Sequence, residues 1–307
     1  MSLIKEFAIE PRVMATWEHF NSLWADFGAG QGRLISKYPV LWKSKVDELA
    51  RTLSKPVRAL SISAKIRRDE HKFLDTGRTY SGNDWLKNAL SQMAAQPFHA
   101  ILASAEAILA LENPAGSQGV LVAGDFAKDE PPYKVVTEDF IPRKAAELAG
   151  CASLLLEHCE EIQLVDPHFD PCEPRFSNTF GAMLKLCNTT SIKVLEIHRE
   201  KPDPFKPDVQ ERNYSWRLAK LVPAGLTARV HFWSQSPGGL RMHPRFLLTE
   251  LGGIHFENGL DEGEPGERTL VKPLSHEVWQ KCRAFYCQTT AAFAITPDCV
   301  VAIAGQR

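Results

Sequence analysis

Beyond residue 141 the chain alternates between short apolar runs and stretches of helical periodicity. That alternation constrains its fold more than any other feature. The run "EIQLVDPHF" (161–169) leads into a helix expected over about 176–188. "SIKVLEIHRE" (191–200) precedes a helix over about 211–221, and "ARVHFWSQ" (228–235) follows as a third strand. "RMHPRFLLTELGGIHFENGLDEG" (241–263) reads as a hairpin. A helix opening at Pro142 is expected over 141–159, a long helix over 276–294, and a last strand over 299–305. Strands separated by helices bury their faces in an α/β layered domain with a partly parallel sheet.

The first 95 residues read differently. "PRVMATWEHFNSLWADF" (11–27) opens on proline and carries Val13, Trp17, Phe20, Trp24 and Phe27 on one stripe, which predicts a helix with an aromatic core face. Further helices are expected over about 39–53 and 84–95, the latter capped by Asp84. "GAGQG" (28–32) matches no phosphate-loop or dinucleotide fingerprint and reads as a turn. Short apolar runs follow at 98–104 and 119–126. The expected organisation is a mainly helical N-terminal region (1–95), a β-containing connecting segment (96–140) and an α/β domain (141–307).

At 307 residues with 44% hydrophobic content, the composition is that of a globular protein. No run of 18 apolar residues predicts a transmembrane segment, and "MSLIKEF" lacks a signal-peptide core, so a cytoplasmic location is expected. The seven cysteines form no C-x-x-C pair. The spacing of His158, Cys159, His168 and Cys172 fits no standard zinc module, so no metal and no cofactor are expected. The net charge of −1 argues against a broad polyanion-binding surface. Residues 1–95 nevertheless hold 15 Lys+Arg against 10 Asp+Glu. The excess includes Arg51, Lys55, Arg58, Lys65, Arg67, Arg68 and Lys72, which reads as a solvated face or a nucleic-acid contact stripe.

In open α/β sheets ligands bind beyond the carboxyl ends of the parallel strands. Here those ends carry Asp166 and His168, then His198 and Arg199, then Ser234. The chain turns back through "PGGLRM", so the returning strand starts at the same rim with His243-Pro244-Arg245. Strand alternation points His243 and Arg245 to one side and Phe246 and Leu248 to the other. Glu250 follows as a supporting carboxylate. Asp261 reads as turn chemistry or as a partner for Arg245.

The pattern H-x-R-x4-E before a glycine turn resembles the H-x-K-x4-D motif of the phospholipase D superfamily. "MHPRFLLTELGG…NGLDEG" is closest to the phospholipase D-like domain at the C-terminus of MIT-domain proteins. The resemblance covers roughly residues 141–307. It implies a phospholipase D-like mixed sheet flanked by helices, and a protein that binds phosphodiesters, nucleic acid foremost. It also implies a metal-independent phosphodiesterase or nuclease mechanism. In that mechanism His243 attacks phosphorus to form a phosphohistidine, a second histidine protonates the leaving oxygen, and Arg245 neutralises phosphate oxygens. Family enzymes use two such motifs and one is visible here, which implies a homodimer. Arginine stands for lysine and glutamate for aspartate. The alternative reading is therefore a module without turnover that binds phosphate-bearing ligands, membranes or protein partners.

Overall fold

The computed structural model describes residues 2–111, 119–287 and 292–306. Contacts divide the chain into two units, one of Ile4–Val136 and one of Thr137–Arg307 with the first three residues.

The first unit is built on β1 (Lys5–Ile9), α1 (Pro11–Ala15), α2 (Trp17–Leu23), β2 (Arg33–Ser36), α3 (Trp42–Leu53), α4 (Pro56–Arg68), β3 (Phe73–Leu74), α5 (Trp85–Gln92), β4 (Ala100–Ala103), α6 (Ala105–Leu109) and β5 (Val120–Val122). Its sheet has the order β3-β2-β1-β4-β5, and every pairing is parallel. A parallel sheet is covered on both faces, and alternation decides which residue meets which layer. Phe7, Ile9, Ile35 and Leu102 pack with Val13, Phe20, Trp42, Val46, Ile62 and Ile66 from α1–α4. Ala8, Ile101 and Ala103 pack with Trp85, Leu86 and Ala89 of α5.

The expected helices are present, but they wrap a sheet that the mainly helical reading of residues 1–95 omitted. Residues 96–136 supply β4 and β5 to that sheet and so belong to the first unit rather than to a connector. The expected helix over 11–27 breaks at Thr16, whose backbone is extended and whose hydroxyl donates to the Arg12 carbonyl. Its aromatic stripe still lies in the core, with Trp17 half-buried at the margin. Lys72 leaves the basic stripe. It is buried, and its ammonium donates to the carbonyls of Trp24 (2.9 Å) and Phe27 (2.6 Å).

In such a winding the ligand crevice lies between β1 and β4, where the strand order reverses. Here the chain's own residues meet across that place. Glu10 accepts from the Ser104 amide at 2.7 Å, and Arg12 pairs with Glu106 at 3.6 Å.

The second unit comprises β6 (Asp139–Pro142), α7 (Ala145–Gly150), α8 (Ser153–His158), β7 (Glu161–Val165), α9 (Pro174–Leu186), β8 (Val194–Glu200), α10 (Pro207–Leu218), β9 (Thr227–Trp233), β10 (Arg245–Leu248), β11 (Gly253–Phe256), β12 (Arg268–Pro273), α11 (His276–Phe285) and β13 (Val300–Ala304). The sheet order is β13-β9-β8-β7-β10-β11-β12-β6. β7, β8 and β9 run parallel, and the other pairings are antiparallel. The mixed α/β sheet flanked by helices therefore stands. Pro142 ends β6 instead of opening a helix. The helix expected over 276–294 stops at Phe285, and part of that span, 288–291, lies outside the described residues. Phe246 and Leu248 pack with Val165, Trp233, Cys282 and Tyr286, which is the packing face that alternation assigned to them. No helix among the described residues is long and apolar enough to cross a membrane.

One buried ion pair holds the loop after β3. Arg78 pairs with Glu6 of β1, with side-chain exposures of 2% and 6%, and its guanidinium lies 3.8 Å from the centre of the Phe98 ring. Replacing Arg78 with Met strands a buried carboxylate. Urea unfolding should show a loss of about 3–5 kcal/mol in the first unit, recovered in part by Glu6→Leu on the same chain. An unchanged transition for Arg78→Met would show the pair to be dispensable.

Candidate functional site

Register gathers the rim of the second sheet. β10 lies between β7 and β11, with Phe246 opposite Val165 and Arg245 opposite Phe256. The residue that starts β10, those that follow β7 and those that follow β11 therefore share one end of the sheet. Asp166, His168, Arg245, Asn258, Gly259 and Asp261 line a cavity there, completed by Arg175 and Phe176 at the start of α9. Its volume is about 140 Å³, below the range of about 300–1,000 Å³ typical of sites for drug-sized ligands. A single small polar or anionic group suits it.

The floor is acidic. Asp166 is 1% exposed and accepts from the amides of His168 (2.9 Å) and Leu260 (3.0 Å). Burial pushes its carboxyl up, against the pull of those amides and of Arg245. Asp261 bridges two arginines, accepting from Arg143 at 2.6 Å and from Arg175 at 3.2 Å. Gly259 has a φ of +116°, and a Cβ there would come within 2.5 Å of an Asp261 carboxylate oxygen. Only glycine lets the backbone pass between the two aspartates.

The walls are cationic, and their charges are compensated unequally. Arg143 also pairs with Glu267 at 2.9 Å, and Arg175 with Glu173 at 2.6 Å. Arg245 makes no ion pair within 4 Å among the described residues. Its Nη1 reaches only the Glu257 carbonyl at 3.4 Å, and its buried Nε has no partner. A guanidinium with open donors beside Asn258 and His168 can hold an oxyanion by charge-assisted hydrogen bonds.

Five sequence expectations change. His243 precedes β10 in irregular, exposed chain and is not among the residues lining the cavity. The ladder begins at Arg245, so strand alternation does not carry back to residue 243. Glu250 sits at the other end of β10, about 16 Å along the strand from Arg245. There it accepts from the amides of Glu160 (2.8 Å) and Glu161 (3.0 Å) and caps the start of β7.

His198 is fully buried against Tyr286 and Trp233, and the Trp233 indole donates to its Nδ1 at 3.1 Å. Alternation puts it beneath the sheet, away from the cavity. Arg199 lies on the opposite face of β8, where its guanidinium donates to the Phe169 carbonyl (2.7 Å) and the Tyr214 hydroxyl. Asp261 serves Arg143 and Arg175 rather than Arg245. Asp166, His168, Arg245 and Asp261 are brought together as expected. Arg143, Arg175 and Asn258 come from a strand exit, a helix start and a loop, and no spacing in the sequence links them.

A larger groove of about 290 Å³ lies in the first unit, lined by Glu18, His19, Ser22, Gly124, Phe126 and Lys128. Its charges are already satisfied, Glu18 by Arg58 at 3.0 Å and Lys128 by Asp26 at 2.8 Å.

No family model matches the chain, and no curated protein matches it. Among solved structures it is similar to that of TrmBL2, described as an archaeal chromatin protein that shows a novel mode of DNA binding. The identity is 13%, the TM-score is 0.27, and the match covers 78% of this chain and 82% of that one.

Two outcomes test the reassigned residues. Glu250→Ala should cost about 1–2 kcal/mol in denaturant unfolding, since it strips two amides of their acceptor, and should leave ligand binding at the cavity unchanged. His198 faces Glu196, His231, Trp233 and Tyr286, and burial, with His231 next, holds its pKa well below the ordinary 6.5. Its neutral form is the one the fold accepts. Its stabilising contribution is complete above about 6.5 and declines as the pH falls below that value towards the folded pKa. Thermal melts should show this acid-side slope, and His198→Leu should flatten it while lowering stability at neutral pH. A slope that survives in His198→Leu would assign it to another group.

Proposed function

We propose that the second unit is a degenerate phospholipase D-like module that binds a phosphodiester group at the Arg245 cavity, with nucleic acid as the foremost ligand. The observation that carries this is the open guanidinium of Arg245, which faces a small polar cavity without a carboxylate partner. One such cation matches the single negative charge of a diester. Besides the exposed imidazole of His168, the lining has one aromatic ring, Phe176, which is buried and packs 5.7 Å from Phe169. The cavity thus offers a phosphate grip and a single exposed ring, which would stack on any base alike, so binding should be indifferent to sequence.

Turnover requires a nucleophilic imidazole at phosphorus and a second acid opposite it. Within one chain His168 alone of the three histidines lines the cavity, while His198 is sealed in the core and His243 stands outside the lining; the pair is incomplete, which favours binding without cleavage. The dimeric phosphohistidine reading keeps one point in its favour. His243 is exposed two residues before Arg245, where the same residue of a second copy could reach it.

Fluorescence anisotropy with labelled single-stranded DNA and RNA in EDTA tests the reading. Arg245→Ala should weaken binding about ten- to hundredfold, and His243→Ala should leave it within about twofold. Undiminished binding by Arg245→Ala would remove the cavity from the function. Cleavage of the probe that disappears in His243→Ala would replace the module with the enzyme.

A further inference from the structure

The basic stretch of the first unit has a surface that the cavity does not explain. Residues 51–68 contain six Lys and Arg and no Asp or Glu. Within α4 the inward stripe is Ala59, Ile62 and Ile66, each at most 5% exposed. A second apolar stripe lies two positions before each of these, at Val57, Leu60 and Ala64, which is about 200° around the helix. Val57 is 80% exposed and Leu60 70%, and Leu53 at the end of α3 is 38% exposed. The same outward face continues into Arg67 and Arg68 one turn later. A helix apolar on both faces has one face left to cover.

Three of the six cations in this stretch are unspent. Arg58 is taken by Glu18 and Arg68 by Asp69. Arg51, Lys55 and Arg67 are exposed and make no ion pair among the described residues. Protruding aliphatic side chains flanked by uncompensated cations match the chemistry of an anionic lipid surface, which takes the aliphatic groups among its acyl chains and the cations at its headgroups. A nucleic-acid backbone would meet the cations and gain nothing from Val57 and Leu60. We propose that the outward face of α4, with Leu53, docks the protein peripherally on an anionic bilayer. This does not depend on the Arg245 cavity.

Co-sedimentation of the full chain with vesicles of phosphatidylcholine, with or without phosphatidylglycerol, tests it. The protein should partition onto the phosphatidylglycerol vesicles and be released by salt. Val57→Glu with Leu60→Glu, two changes at exposed positions that leave the fold intact by circular dichroism, should lower partitioning at least about tenfold. Arg67→Ala should lower it about fivefold. Arg245→Ala should leave it unchanged, which separates this face from the phosphate cavity.

The proposal falls if the protein ignores both vesicle types or binds them equally. It also falls if partitioning survives the double glutamate variant. A dimer that dissociates in that variant would overturn it in favour of a second copy of the chain. Retention by duplex DNA that is lost in Arg67→Ala but kept in the double glutamate variant would overturn it in favour of a nucleic-acid stripe.

Discussion

The antiparallel seating of β10 between β7 and β11 is the constraint on which the candidate site depends. β7 and β8 run in one direction, and β10 returns beside β7 with Phe246 opposite Val165. Because the return is antiparallel, the end of β7 and the beginning of β10 coincide. The second hairpin strand then brings the loop after Phe256 back to the same rim. A shift of one residue in that register would turn Arg245 to the packing face and Phe246 to the cavity. Phe246 and Leu248 resist that shift because both are buried against α11.

Charge compensation then decides what the rim can do. Two of the three guanidiniums around the aspartates are tied to carboxylates, and Asp261 is the hinge between them. Those pairs hold the loop from Asn258 to Asp261 against the start of α9. Arg245 is left with open donors. The site thus separates a paired set of arginines from a single unpaired one, although all three are the same residue type. The raised carboxyl of Asp166 fits this arrangement, because the nearest uncompensated cation is turned toward the cavity and burial dominates over its attraction.

The two units handle the carboxyl ends of their parallel strands in opposite ways. In the first, the Glu10 carboxylate bridges the reversal point of the winding to the Ser104 amide, and exposed cations lie on α4. In the second, the rim stays open because an antiparallel hairpin, rather than another crossover helix, follows β9. Both have α/β layers, so fold class alone would not have told them apart.

Much of the second unit was legible in the residues. Alternating apolar runs and helical patterns located β7, β8, β9 and the hairpin, and the rule of carboxyl ends picked out Asp166, His168 and Arg245. The first unit was harder to read. Its strands are two to five residues long, and β1, β2 and β3 are buried on both faces and so lack the period-two signal that marks a half-buried strand. His198 and Arg199 are adjacent in sequence and polar, and only the sheet's two faces show that each is enclosed by a different layer. Glu250 stands seven residues from His243, but the strand between them carries it to the opposite end of the sheet. Arg143 and Arg175 reach the site from elements more than 80 residues away from Asp261. Local chemistry, which is written in neighbouring residues, was settled by the sequence itself: which runs are strands, and that a guanidinium opens the returning one. Which arginines are neutralised and which one is free was settled only by tertiary structure, because ion pairing depends on distances that long-range packing sets.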